Sequence, residues 1–128
     1  MPAFGWAFFI LIGCIVNPSQ FPKMHLDWFH FSIDKVAHFF LFGIFSLFIN
    51  AAIASKQKPK KWYVIGAVIS AIYGVLIEEL QGSFFIYRTY EFDDMVANCI
   101  GAFTLSLIAF ALDTFFRKAI AKFWFYQN

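Results

Sequence analysis

The chain has 128 residues, of which 61% are hydrophobic, and its formal net charge is only +2. A soluble domain is usually about 45–50% apolar, so this composition, with its 20 phenylalanines, excludes an ordinary soluble domain and favours a membrane protein. The small charge, without a basic stripe, argues against a nucleic-acid partner. The length predicts a single domain over residues 1–128.

Four apolar runs follow one another along the chain, and each predicts a membrane-spanning helix. They cover residues 2–16, 35–54, 62–81 and 94–112, and an amphipathic tail follows over 113–128. The first run would be about 21–23 Å long as a helix, which is short of a hydrocarbon core of about 30 Å. It therefore predicts a short span or one that thins the bilayer locally. The expected fold is an all-α, four-transmembrane-helix bundle with short loops.

The start of the chain also allows a second interpretation. A secretory signal peptide is apolar in the same way, and Leu11 to Cys14 resembles the site at which a bacterial lipoprotein is acylated. The run lacks the basic start of such a peptide. We therefore expect a membrane helix here.

Basic residues are distributed unevenly between the two ends of the predicted bundle. Seven of the ten lysines and arginines lie in the second loop and in the tail: Lys56, Lys58, Lys60, Lys61, Arg117, Lys118 and Lys122. The other end has three, Lys23, Lys35 and Arg88. The positive-inside rule then predicts that both termini are cytoplasmic.

Polar side chains interrupt three of the apolar runs at helical spacing. The candidate cluster consists of Asp34, Lys35 and His38 on the second run, Glu78 and Gln81 on the third, Arg88 in the next loop, and Asp94 and Asn98 on the fourth. In the predicted topology all lie at the outer ends of their helices. Because a charge at the helix centre costs at least about 2.5–3.5 kcal/mol on insertion scales, we expect them to converge in one cavity. Arg88 should neutralise Asp94 or Glu78 there.

Three short blocks of this sequence resemble the VanZ-like family of membrane proteins. The segment Asp34-Lys35-Val36-Ala37-His38-Phe39 is similar to the D-K-x-x-H-F opening of that family. Residues 74–81 are similar to its G-x-x-x-E-x-x-Q block, and residues 88–101 to its block of arginine, aspartate, asparagine and glycine. The resemblance implies a small protein of the bacterial inner membrane, in a family associated with resistance to the glycopeptide teicoplanin. It implies no settled reaction.

The cluster allows three kinds of function. Lys35 and Arg88 could hold an anionic lipid headgroup or a related ligand, with His38, Gln81 and Asn98 completing the site, since both cations suit phosphate. Alternatively the polar groups only tie the helices together, and the protein is an accessory subunit of a larger envelope complex. A third interpretation is an enzyme in which His38 and a carboxylate transfer protons on a lipid-linked substrate.

Two further predictions concern metals and packing. A metal site through His38, Glu78 and Asp94 is conceivable, but one histidine is few for zinc, so we assign neither metal nor cofactor. Cys14 and Cys99 are expected to be small buried apolar residues, although depth would allow a bridge between them. Three small residues that recur every four positions, Gly66, Ser70 and Gly74, predict a face for close helix packing.

Overall fold

The computed structural model describes residues 2–15, 33–84 and 91–125, with side chains except those of residues 14, 15, 124 and 125. Its helices are α1 (Pro2–Ile15), α2 (Ile33–Ser55), α3 (Tyr63–Phe84), α4 (Phe92–Ala111) and α5 (Asp113–Phe125), with a short 3₁₀ turn over Lys60–Trp62 before α3. The predicted all-α class is confirmed. The loop that carries Arg88 lies outside the described residues.

Three of the described helices, α2, α3 and α4, are long and apolar enough to cross a membrane. The helix α1 is apolar too, but its 14 residues would span only about 21 Å. Many large apolar side chains, such as Phe8, Ile72 and Leu107, point outward, whereas most buried residues are small or polar, with a few large ones such as Phe42. This distribution suits a helical bundle whose solvent is lipid, and the chain is a multi-pass membrane protein.

The helices α3 and α4 extend further towards each other in the sequence than predicted. The helix α3 continues one turn past Gln81 to Phe84, and α4 begins at Phe92. Asp93 therefore lies with Asp94 in the first turn of α4 rather than before the helix. Carboxylates in that position interact favourably with the positive end of the helix dipole, which explains the earlier start.

Small residues bring α2, α3 and α4 into close contact. A Cβ atom added at Gly101 would collide with the backbone carbonyl of Phe39, and one added at Gly66 would collide with Asn50. Ser70 donates a 2.7 Å hydrogen bond to the carbonyl of Phe42. The predicted packing face of α3 is confirmed, since its small residues face neighbouring helices.

The helix α1 packs against the first two thirds of α2. The Trp6 ring packs edge-on against Phe48, and Ile10, one turn later, belongs to a buried cluster with Phe42 and Phe45. Trp6 Nε1 also donates a 2.9 Å hydrogen bond to the carbonyl of Leu41. These contacts place α1 beside residues 41–48 of α2.

The helix α5 is attached to the opposite end of the bundle by one aspartate. Asp113 accepts a 2.8 Å hydrogen bond from the Tyr63 hydroxyl and forms a 2.9 Å ion pair with Arg117. Arg117 also donates to the carbonyls of Ala54 and Lys58, at 3.3 and 2.6 Å. These contacts tie the tail to the ends of α2 and α3 that lie farthest from His38.

Candidate polar site at one end of the bundle

Polar side chains from α2, α3 and α4 meet at the end of the bundle where α2 begins. Five of them are almost fully buried: His38, Glu78, Gln81, Asp94 and Asn98. Asp34 and Lys35 lie at the edge of the group, with 54% and 20% of their side chains exposed. We call these seven residues the polar cluster.

Lys35 is the cation that pairs with Asp94. Its Nζ lies 2.9 Å from Asp94 Oδ1, and it donates a hydrogen bond across from α2 to α4. Two further carboxylates approach the same ammonium group, Glu91 at 3.5 Å and Asp93 at 3.8 Å. From the sequence we expected Arg88 to neutralise Asp94 or Glu78 and Lys35 to bind the ligand. The contact between Lys35 and Asp94 was therefore not predicted.

His38 lies at the centre of the polar cluster, with each ring nitrogen facing different groups. Nδ1 is 2.9 Å from Asn98 Oδ1 and 3.7 Å from Glu78 Oε1. Nε2 is 3.9 Å from Asp34 Oδ1 and 3.8 Å from Asp94 Oδ2. Since the amide oxygen of Asn98 only accepts, Nδ1 is the donor in this contact, and Nε2 is the ring nitrogen that faces Asp34 and Asp94.

Close helix packing explains why these groups can meet. A Cβ atom at Gly74 would lie 2.8 Å from Asn98 Cβ, so the glycine gives Asn98 room beside α3. The approach of Gly101 to the backbone at Phe39 draws α4 against α2. With ordinary side chains at the two glycines, the helices would separate, and neither Lys35 nor His38 would reach α4.

Negative charge exceeds positive charge around the polar cluster. Within the described part of the chain, Lys35 is the cation at this end, and it faces Asp94, Glu91 and Asp93. Asp34 adds a further carboxylate beside His38 Nε2. The described residues therefore offer mainly hydrogen-bond acceptors, and they suit a group that brings donors or positive charge.

The residues of the polar cluster were predicted from the sequence, but not all of their contacts were. Glu79 is exposed and points away from the cluster, as its position next to Glu78 predicts. Asp34, not Glu78, shares the Nε2 side of His38 with Asp94, so the geometry groups His38 and Asp94 with Asp34 rather than with Glu78. Cys99 is a free, half-buried thiol. The role of Arg88 stays a prediction.

A second set of buried polar groups was missed, in the middle of the bundle. Asn50 Nδ2 donates a 2.9 Å hydrogen bond to Ser106, and Ser46 and Ser70 are buried nearby along α2 and α3. The spacing of His38, Ser46 and Asn50, at multiples of four residues, is a signal that could have found them. These contacts join α2 to α4 well away from the polar cluster.

A groove of about 360 Å³ lies elsewhere, between α3 and α4 near the lysine-rich loop. Its walls include Tyr63, Ala67, Phe103 and Leu107, with Lys61 at one edge. The lining is almost entirely apolar, so this groove offers little chemistry and is separate from the polar cluster.

Comparison with known families agrees with this arrangement of helices. The model of the VanZ/LLP1 family matches residues 4–116, which include all of α2, α3 and α4 and the whole polar cluster. No curated protein and no solved structure matches the chain. Because the match extends over most of the sequence, the chain belongs to the VanZ/LLP1 family.

Proposed function

We propose that the polar cluster binds the headgroup of an envelope lipid at the outer face of the bacterial inner membrane. The observation that carries this proposal is the burial of five polar side chains from three spanning helices at one end of those helices. Burying such groups without partners is expensive in a membrane, and groups kept there usually serve a ligand or a pathway. At the end of a span, the nearest abundant ligand is a lipid headgroup.

The charges define the kind of headgroup that fits. Lys35 is part-buried at the edge and can reach a phosphate, but it is already shared among three carboxylates. A purely anionic group would meet repulsion from Asp34 and Asp94. We therefore favour a phosphate-bearing headgroup that also carries hydroxyl or ammonium donors for the carboxylates.

Exchange of Lys35 for methionine tests the proposal. Methionine keeps much of the length of the side chain and removes the charge, so native mass spectrometry of the gently extracted protein should show at least about tenfold lower lipid retention. Lys118→Met, on the exposed face of the tail, is the matched control and should retain lipid as the wild type does. Equal lipid retention by Lys35→Met and Lys118→Met would refute a lipid site at the polar cluster.

The same spectra address the alternative that the protein is an accessory subunit. A partner protein present in one-to-one amount, with lipid absent from both variants and wild type, would favour membership of a larger envelope complex. The family association also makes teicoplanin susceptibility the phenotype to measure in cells. Loss of the wild-type effect on susceptibility in Lys35→Met, but not in Lys118→Met, would connect the polar cluster with that phenotype.

Arg88 provides a second test, because its loop lies between two helices of the polar cluster. If it contributes to a headgroup site, Arg88→Ala should lower lipid retention while the protein stays folded. If it serves only as a structural partner for a buried carboxylate, the free energy of unfolding should fall by about 3–5 kcal/mol. Thermal unfolding in detergent and lipid retention, measured on this one variant, separate the two outcomes.

The proposed outer location depends on the orientation of the bundle. The excess of lysine and arginine in the 55–61 loop and the tail supports cytoplasmic termini. A reporter fused after Asn128 should be active only in the cytoplasm, and one inserted between Phe84 and Glu91 only outside. The reverse pattern would move the polar cluster to the cytoplasmic face and refute an outer-leaflet ligand.

A further inference from the structure

Two carboxylate oxygens lie near His38 Nε2, at distances that one metal ion can bridge. Nε2 lies 3.9 Å from Asp34 Oδ1 and 3.8 Å from Asp94 Oδ2, which is too far for hydrogen bonds. One ligand atom from each of the three residues fits within a mutual separation of 4.8 Å. An ion about 2.0–2.2 Å from each ligand atom holds such atoms roughly 3–4 Å apart. Both distances from Nε2 lie within that range, so small side-chain rotations would bring all three atoms to one ion.

The hydrogen bond from His38 to Asn98 prepares the ring for that role. With Nδ1 donating to Asn98 Oδ1 at 2.9 Å, Nε2 is the ring nitrogen that faces the two carboxylates. A metal ion placed between these three groups would bind Nε2 and one oxygen of each carboxylate. Histidines that bind metals usually donate their other ring N–H to an oxygen in this way, which fixes the ring and its protonation.

The neighbouring groups also suit a cation. Lys35 binds Oδ1 of Asp94, so Oδ2 remains directed at His38, and the lysine orients a carboxylate as outer groups do around metals. Asp34 and Asp94 place two carboxylates beside Nε2 of the ring. A divalent ion would neutralise both, whereas Lys35 already serves Glu91 and Asp93 as well.

We propose that Asp34, His38 and Asp94 form a binding site for a divalent transition-metal ion at the mouth of the polar cluster. One imidazole and two carboxylates suit Zn²⁺ or Mn²⁺ better than Mg²⁺ or Ca²⁺, which prefer oxygen ligands alone. The three protein ligands leave coordination positions for water or for an oxygen of a further molecule. This inference goes beyond the lipid proposal and does not depend on it.

Titration calorimetry on the protein stripped with EDTA tests the site. Wild type should bind one equivalent of Zn²⁺ or Mn²⁺, and Asp34→Asn should bind at least about tenfold more weakly. Asp34 is half exposed, so its exchange leaves the core intact. The matched control is Glu79→Gln, which removes an exposed carboxylate from the same end of the bundle and should change the affinity by less than about twofold.

Two results would overturn the site: absence of saturable one-to-one binding in wild type, or an equal loss of affinity in the two variants. Magnetic resonance of bound Mn²⁺ adds a direct readout, because an imidazole ligand gives a nitrogen coupling that should disappear in His38→Gln. Binding without that coupling in wild type would also contradict the assignment. Lipid retention by the stripped protein is measured alongside, so that failure of the ion site and failure of the lipid site are distinguished.

Discussion

Each end of the bundle has an aspartate paired with a basic residue, but the two pairs have different surroundings. At the tail end, Asp113 accepts a hydrogen bond from the Tyr63 hydroxyl, and both of its oxygens lie within hydrogen-bond distance of Arg117 Nε, whereas the other nitrogens of Arg117 donate to backbone carbonyls. At the other end, Lys35 faces three carboxylates, and three carboxylates also lie near the ring nitrogens of His38. Among the described residues, donors are therefore in surplus at the tail pair and acceptors at the polar cluster.

This difference indicates which pair is structural and which belongs to a binding site. The carboxylate of Asp113 is surrounded by donors and needs no further partner. Its role is to hold α5 against the ends of α2 and α3. Where acceptors outnumber donors, as among the described residues of the polar cluster, a ligand that brings donors or positive charge can bind. The comparison supports a structural role for Asp113 and a binding role for the polar cluster. Three experiments test this assignment.

The largest effect is expected from Gly74→Leu, at the polar cluster. A Cβ atom there already approaches Asn98 Cβ to 2.8 Å, so a leucine must push α3 away from α4. Overpacking of this kind typically lowers the free energy of unfolding by about 1–3 kcal/mol, and more where backbone must move. Val75→Leu, at the next position, should be tolerated. Equal melting temperatures for the two variants in detergent would contradict the close packing on which the polar cluster depends.

A smaller and asymmetric effect is expected when one aspartate at each end is neutralised. Asp113→Asn removes a charge-assisted network and should lower the free energy of unfolding by roughly 1–2 kcal/mol. In metal-free protein, Asp34→Asn should change it by less than about 0.5 kcal/mol, because relief of repulsion with Asp94 offsets a weaker helix-terminus interaction. Denaturant titration of the two variants measures both changes. A greater loss from Asp34→Asn would reverse the roles assigned to the two ends.

The smallest effect concerns the acid sensitivity of the tail. Burial alone would raise the pKa of Asp113, but hydrogen bonds from Tyr63 and Arg117 outweigh it and hold the pKa below its ordinary value. A lowered pKa means that the ionised carboxylate stabilises the fold above the ordinary pKa of about 3.9 and that this contribution is lost as the pH falls further. The stability difference between wild type and Asp113→Asn should therefore narrow below about pH 4. A difference that stays constant down to pH 2 would show that the charge of Asp113 does not stabilise the tail.

The number, order and approximate ends of the helices could be predicted from the sequence because they depend on local composition. An apolar run bounded by lysines or by prolines has few alternatives in a membrane. The convergence of His38, Glu78 and Asp94 could also be anticipated, since polar groups in spanning helices need one another. Residue spacing gives the helix face on which each polar group lies, and the predicted topology gives its depth in the membrane.

The partners within the polar cluster could not be predicted in the same way. Whether Lys35 reaches Asp94 depends on how closely α2 approaches α4, and that distance is set by Gly101 against the backbone at Phe39. The choice of Asp34 over Glu78 beside Nε2 depends on the rotation of one ring, which Asn98 fixes. Differences of one or two ångströms decide these contacts, and residue spacing does not resolve them.

Several contacts between helices use a side-chain donor on one helix and a main-chain carbonyl on the other. Trp6 donates to Leu41, Ser70 to Phe42 and Tyr73 to Ala7. Every residue type supplies such a carbonyl, so the accepting positions can change their side chains without losing the bond, whereas the donors cannot. A library of substitutions should therefore tolerate many residues at 7 and 41 and few at 6, 70 and 73. Substitutions should thus accumulate more readily at the residues that supply the carbonyl than at the residues that supply the donor.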